Sequence, residues 1–73
     1  MATNTTSNPF LTESAQGPYV KELQGLLSNL NYKVSVDGSF GPKTKAIVMQ
    51  FQTENGLAAN GVVDTATWTK VLS

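Results

Sequence analysis

The 73-residue chain contains no cysteine, no histidine and no arginine. Without cysteine there is no disulfide to staple a small fold and no thiolate nucleophile. Without histidine the imidazole base is missing, and with it the commonest zinc ligands. Five lysines balance five carboxylates, so the basic excess and arginine forks of nucleic-acid binders are absent and no nucleic-acid partner is expected. No apolar run approaches the roughly 20 residues of a membrane span. The charged start and apolar stretch of a signal peptide are also missing. What remains is one small domain, near the lower size limit for a self-sufficient core, held together by packed helices or strands alone.

The opening stretch, MATNTTSNPFLTESAQ, is rich in Thr, Asn and Ser, with one short apolar pair at Phe10-Leu11. Residues 1–16 read as a flexible lead-in whose Phe10-Leu11 pair can fold back onto a body spanning residues 17–73. Asn4-Thr5-Thr6 matches the glycosylation triplet, a coincidence in a chain without a secretion signal. The body carries three helical patterns. In GPYVKELQGLLSNLNY the apolar residues Val20, Leu23, Leu27 and Leu30 recur every three or four positions, which predicts a helix near 18–31. Pro18 suits its first position, and Asn31 can take the left-handed conformation that ends it. In PKTKAIVMQFQTENGL the stripe is Thr44, Ile47, Val48 and Phe51. Pro42 opens that helix and Gly56-Leu57 closes it, near 42–55. The third pattern, near 65–72, has Asp64 as N-cap and Trp68, Val71 and Leu72 on one face. Each helix alone is marginal in water, so the three must fold by packing together. The expected core is Val20, Leu23, Leu27, Leu30, Phe40, Val48, Phe51, Leu57, Val63, Trp68 and Leu72.

The sequence also echoes itself. DGSFGPKT from Asp37 and NGVVDTAT from Asn60 align residue for residue at an offset of 23. Each gives a turn dipeptide (Asp37-Gly38, Asn60-Gly61), an apolar residue (Phe40, Val63), an N-cap position (Gly41, Asp64) and a threonine in the first helical turn (Thr44, Thr67). Asp-Gly and Asn-Gly are favoured where the backbone takes positive φ. Phe40 and Val63 stand where a hydrophobic staple precedes each cap. The fold class that follows is all-α: a compact three-helix bundle with a pseudo-repeated turn–helix motif.

From Gly17 to Leu72 the chain resembles the peptidoglycan-binding domains appended to bacterial and phage cell-wall hydrolases. The resemblance is carried by Val20, Leu23-Gln24, Leu27, Tyr32, Asp37-Gly38-Ser39-Phe40-Gly41, Thr44, Val48, Phe51-Gln52, Gly56-Leu57, Asn60-Gly61-Val62-Val63, Thr67 and Leu72. Asn31 stands in place of a usual glycine, Asn60 of a usual aspartate and Ile47 of a usual alanine; the first two keep the turn chemistry, and Ile47 alters packing beside any groove its helix lines. The resemblance implies a non-catalytic module that targets a hydrolase to the wall. The partners implied are peptidoglycan (stem peptide, amino sugar or both) and a hydrolase domain, and the place implied is the cell wall, the periplasm or the cell exterior. It implies no cofactor, no metal, no membrane and a monomeric state. The prodomains of secreted metalloproteases share the likeness but act through a zinc-binding cysteine, which this chain lacks.

The residues speak against catalysis. A glycosidase needs two carboxylates facing across a sugar, and Asp37 and Asp64 hold different places in their repeats, turn and cap. A serine has no histidine to activate it. GSFGPKT lacks the GxxxxGK[ST] spacing of a phosphate loop, and with one carboxylate it is no calcium loop. A wall binder needs amide-type donors and acceptors, aromatic faces and some positive charge. Gln24 and Gln52 follow core residues and either hydrogen-bond loop backbone or touch ligand. Asp37 either stabilises its turn or binds. Lys43 lies in a first helical turn with free N–H groups, where an anion is received. Tyr32 either closes the core or stacks on a sugar. Ser39 and Asn60 complete a polar rim, and the spacing of Trp68 places it in the core. The candidate binding residues are therefore Gln24, Tyr32, Asp37, Ser39, Lys43 and Gln52. The alternative function is a protein–protein interaction or assembly module on the same scaffold, since fold does not fix function.

Overall fold

The computed structural model describes residues 9–73; the Asn4-Thr5-Thr6 triplet and the rest of the first eight residues lie outside the described part. Three helices follow one another: α1 (Pro18–Asn29), α2 (Pro42–Glu54) and α3 (Thr65–Leu72). Among the described residues the only β pairing is two isolated antiparallel bridges, Leu11 with Val63 and Gln16 with Ser39. The architecture is the all-α, three-helix arrangement the sequence implies.

Local chemistry explains where each helix starts and stops. Pro18 and Pro42 open α1 and α2, where a missing N–H has no intrahelical partner to lose. Asp64 caps α3, its Oδ1 accepting from the Thr67 N–H at 3.0 Å. The ends of α1 and α2 are built alike. Asn31 and Gly56 take φ of 76° and 73°, and the residue after each reaches back into the helix. The Tyr32 N–H donates to the Leu27 carbonyl at 3.1 Å and the Leu57 N–H to the Gln52 carbonyl at 2.8 Å. Both are Schellman ends.

The core comprises Leu11, Val20, Leu23, Leu27, Phe40, Val48, Phe51, Val63, Trp68 and Val71, all buried. Three expected members leave the list. Leu30 is 43% exposed, because it is the cap residue of α1 and the turn that follows brings Tyr32, not Leu30, against the core. Leu72 is 38% exposed: successive helical residues differ by about 100° around the axis, and with Thr67, Trp68 and Val71 inward it falls at the margin of the stripe. Leu57 is half-buried, spent on the Schellman turn.

Residues 9–16, expected as a flexible lead-in with Phe10-Leu11 folding back, do fold back at Leu11, and the segment is bonded to the body at further points as well. This segment is a strap stitched to both corners of the pseudo-repeat. At the second corner, Leu11 and Val63 exchange N–H···O bonds of 3.1 and 2.8 Å. At the first, the Ser14 N–H donates to the Phe40 carbonyl at 2.8 Å, the Phe40 N–H to Ala15 at 2.9 Å, and the Gly17 N–H to Gly38 at 3.0 Å. The Pro9 carbonyl accepts from the Trp68 indole N–H at 2.9 Å. Leu11 enters the core while Phe10, its partner in the apolar pair, is 64% exposed. At the Leu11 bridge the extended backbone sends neighbouring side chains to opposite sides, Leu11 in and Phe10 out.

Candidate functional site

Two buried glutamines organise the molecule. Gln24, on α1, is fully buried, and its side-chain oxygen accepts from the backbone N–H groups of Asp37 (3.0 Å) and Gly38 (2.8 Å). Its amide nitrogen donates toward Asp37 Oδ1 (3.0 Å), the Ser39 carbonyl (3.0 Å) and Thr44 Oγ1 (3.2 Å). Gln52, on α2 and 1% exposed, repeats the arrangement one corner later. Its oxygen accepts from the Gly61 N–H (3.0 Å), and its nitrogen donates toward Asn60 Oδ1 (3.2 Å), the Val62 carbonyl (2.9 Å) and Thr67 Oγ1 (3.1 Å). In each clasp the turn residue's side chain also accepts from the N–H two positions on, Asp37 from Ser39 at 3.0 Å and Asn60 from Val62 at 2.9 Å. Glutamine suits both positions because one planar group offers an acceptor and two donors on a stem long enough to reach across from a helix. Glutamate would present oxygen to the Ser39 and Val62 carbonyls.

Two residues expected as ligand contacts form the clasps. Gln24 and Gln52 are inside, with their hydrogen-bonding groups engaged within the chain. They position the corners and present nothing to solvent. Asn60 belongs to the second clasp.

A surface groove of about 520 Å³ opens beside the first clasp, between the loop after α1 and the first turns of α2. It is lined by Lys33, Val34, Ser35, Asp37, Ser39, Gly41, Pro42, Lys43, Thr44 and Ile47. Asp37, Ser39 and Lys43 from the expected set therefore share one surface. The Ser39 N–H and, next, the Gln24 amide hold the exposed Asp37 carboxyl below its ordinary pKa, so it stays ionised. The N-terminus of α2 adds unpaired N–H groups to the wall, because Gly41, its N-cap, has no side chain to cap them.

Tyr32 stands apart from this groove. Its ring meets Phe51 edge-on, centroids 5.9 Å apart at 76°, and its hydroxyl donates to Glu54 Oε1. That hydrogen bond, then partial burial, then the Glu54 charge push the phenol up to about 12, and the same bond lowers Glu54. The ring ties the end of α1 to α2 and lies outside the groove lining. Trp68 is in the core.

Lys33, Val34, Ser35, Gly41, Pro42 and Thr44 line the groove without having been expected there. Their signal is long-range: nothing local in KVSV says that it lies against the start of α2. Ile47 alone was foreseen as a groove neighbour. Among the described residues, no three His, Cys, Asp or Glu side chains gather to hold a metal, and no helix is long and apolar enough to cross a membrane.

Comparison with known proteins places this geometry. The peptidoglycan binding domain family profile matches residues 16–71. An uncharacterized protein from the bpoA1 3′ region of Kitasatospora aureofaciens is 47% identical over 68 residues, 90% of this chain and 58% of that protein. The zinc D-Ala-D-Ala carboxypeptidase of Streptomyces albus G is 39% identical over 64 residues, 84% of this chain and 25% of the enzyme. The chain thus spans under two thirds of the length of either. A peptidoglycan-binding protein from Clostridioides difficile, solved in complex with glutamine hydroxamate, superposes with a TM-score of 0.87 at 39% identity, over 94% of this chain and 42% of that one. With the profile spanning the three helices and both clasps, the chain belongs to the peptidoglycan-binding domain family.

Proposed function

We propose that this chain is a non-catalytic wall anchor whose groove beside the Gln24 clasp binds peptidoglycan and keeps a cell-wall hydrolase, joined to it or associated with it, near its substrate. The observation that carries this reading is the convergence of Asp37, Ser39 and Lys43 on one groove, backed by a clasp that fixes the loop they sit on. Val34, Pro42 and Ile47 add aliphatic surface to that polar set, a mixture suited to an amide-rich polymer with short apolar side chains. The acids of the two corners are engaged structurally, Asp37 in its turn and Asp64 as a cap, which supports a binding role over hydrolysis. The relationship to a zinc D-Ala-D-Ala carboxypeptidase, of which the chain covers a quarter, supports a catalytic neighbour. A monomer in the wall, periplasm or cell exterior acts there by effective concentration, so weak and reversible contacts suffice.

Co-sedimentation with purified sacculi tests the proposal. The parent protein is expected in the pellet. Ser39→Tyr, which fills the groove from an exposed position, is expected in the supernatant with an unchanged melting curve. A parent protein that stays in the supernatant at neutral pH and low salt refutes wall binding and favours the interaction-module alternative.

A further inference from the structure

Resting on that groove as the wall-binding site, we infer that it takes the peptide part of the polymer and not the glycan, and fixes a free carboxylate of that peptide at the start of α2 between Lys33 and Lys43. The lining contains two lysines and no aromatic ring. Neither lysine is in an ion pair among the described residues, where the one such pair is Lys45 with Glu13. A pyranose presents its C–H face best to a flat ring, and every aromatic ring of the chain lies outside this lining: Tyr32 bonds Glu54, Phe40, Phe51 and Trp68 are in the core, and the exposed Phe10 and Tyr19 sit on other surfaces.

The internal repeat shows where the carboxylate goes. At the start of α3 a carboxylate is already in place, that of Asp64, accepting from the Thr67 N–H. The equivalent cap of α2 is Gly41, which lines the groove and has nothing within 4 Å of the position its Cβ would occupy. The groove is open at the position that Asp64 fills one corner later, and Thr44 is the counterpart of Thr67. A ligand carboxylate seated there meets helix N–H groups and the positive end of the α2 dipole, flanked by two ammonium groups. Asp37, the one acid in the lining, uses Oδ1 on Gln24 and Ser39. Its charge repels a second carboxylate and favours a ligand amide or amine, so the peptide is oriented as well as held.

Nitrogen–proton NMR titrations with three probes test this: a synthetic stem tetrapeptide with free carboxylates, the same peptide fully amidated, and a peptide-free oligosaccharide of the wall glycan. The free peptide is expected to shift Ser39, Lys43 and Thr44, the amidated one to bind at least tenfold more weakly, and the oligosaccharide to leave these signals in place. Gly41→Asp is expected to weaken the peptide at least tenfold while melting no lower than the parent, because its carboxylate caps α2 from an extended backbone that any residue adopts. Equal binding of acid and amide, groove shifts with the oligosaccharide alone, or unweakened Gly41→Asp each overturn the inference. So does the absence of groove shifts from every probe in a protein that sediments with sacculi, and in all these cases wall binding itself stands. A protein that does not sediment at all overturns the wall-binding reading and this inference with it.

Discussion

Gln52→Ala tests the clasps most directly. The substitution removes the acceptor of the Gly61 N–H and the donor of the Val62 carbonyl and Thr67 hydroxyl. Gly61 is buried, so its N–H cannot turn to water, and a stranded buried donor costs about 1–3 kcal/mol. The emptied space adds about 2 kcal/mol, at the low end for truncating a large buried side chain. The expected total is about 3–5 kcal/mol, against roughly 4–11 kcal/mol for a domain of this length. Thermal melting followed by far-ultraviolet circular dichroism should then fall by more than about 10 °C, since 1 kcal/mol moves the midpoint of so small a domain by about 4–8 °C. Gln24→Ala provides the internal comparison. Its orphaned N–H groups belong to an exposed residue and a half-exposed glycine, Asp37 and Gly38, which water can serve, so its midpoint should fall less. A Gln52→Ala protein that melts within about 2 °C of the parent would refute the reasoning. If its sacculi binding fell as well, Gln52 would be a ligand contact after all.

Further expectations follow from other features. Leu11→Ala should destabilise by about 2–5 kcal/mol by hollowing the core, while Phe10→Ala stays within about 0.5 kcal/mol; equal urea midpoints for the two would dissolve the strap as a structural element. Gly61→Ala should cost about 1–2 kcal/mol from its left-handed φ of 76° alone, with its Cβ arriving 2.9 Å from Lys45 Cγ; the lysine can swing away but the backbone cannot, so a neutral melt would contradict this account. Phe51→Ala, in the core, should lose about 3–5 kcal/mol and leave little folded protein. The raised phenol of Tyr32 gives stability an alkaline dependence. A group whose pKa rises on folding from 10.0 to about 12 is neutral in the native state when its unfolded counterpart ionises, so its contribution is whole below pH 10 and is lost as pH climbs toward 12. Glu54, lowered by the same bond, contributes above the usual carboxylate range and loses its share as pH falls. Tyr32→Phe should flatten the alkaline arm of a plot of melting temperature against pH, and an unchanged arm would remove the pair from the explanation.

The helices were legible because their signals are local. Pro18 and Pro42, Asn31 and Gly56, and the cap at Asp64 mark boundaries within two residues of those observed. The turn–helix repeat was legible too, because DG and NG state their backbone requirement outright. The glutamines were visible only as an ambiguity: adjacency to Leu23 and Phe51 says that Gln24 and Gln52 border the core, and only the chain crossing over them decides that they face inward. Leu11 was half visible, since an apolar pair next to Pro9 does not say which member points in until the bridge to Val63 is formed. The groove was the least legible part. Asp37, Ser39 and Lys43 were within reach because they sit in the repeat, whereas Lys33, Val34 and Ser35 join them through the path of the loop, and no sequence period encodes that path.

The clasps have a consequence for how such a module can vary. The hydrogen bonds that clasp each corner run through backbone groups and three side chains, a glutamine, an Asp or Asn, and a threonine. On that frame, with Phe40 and Val63 both turned into the core, the first corner carries Ser39, Gly41 and Pro42 where the second carries Val62, Asp64 and Thr65, which share almost no outward chemistry. Residues at the rim are thus decoupled from the frame. Their identity can drift, or be redesigned for a different polymer, while the corner keeps its shape.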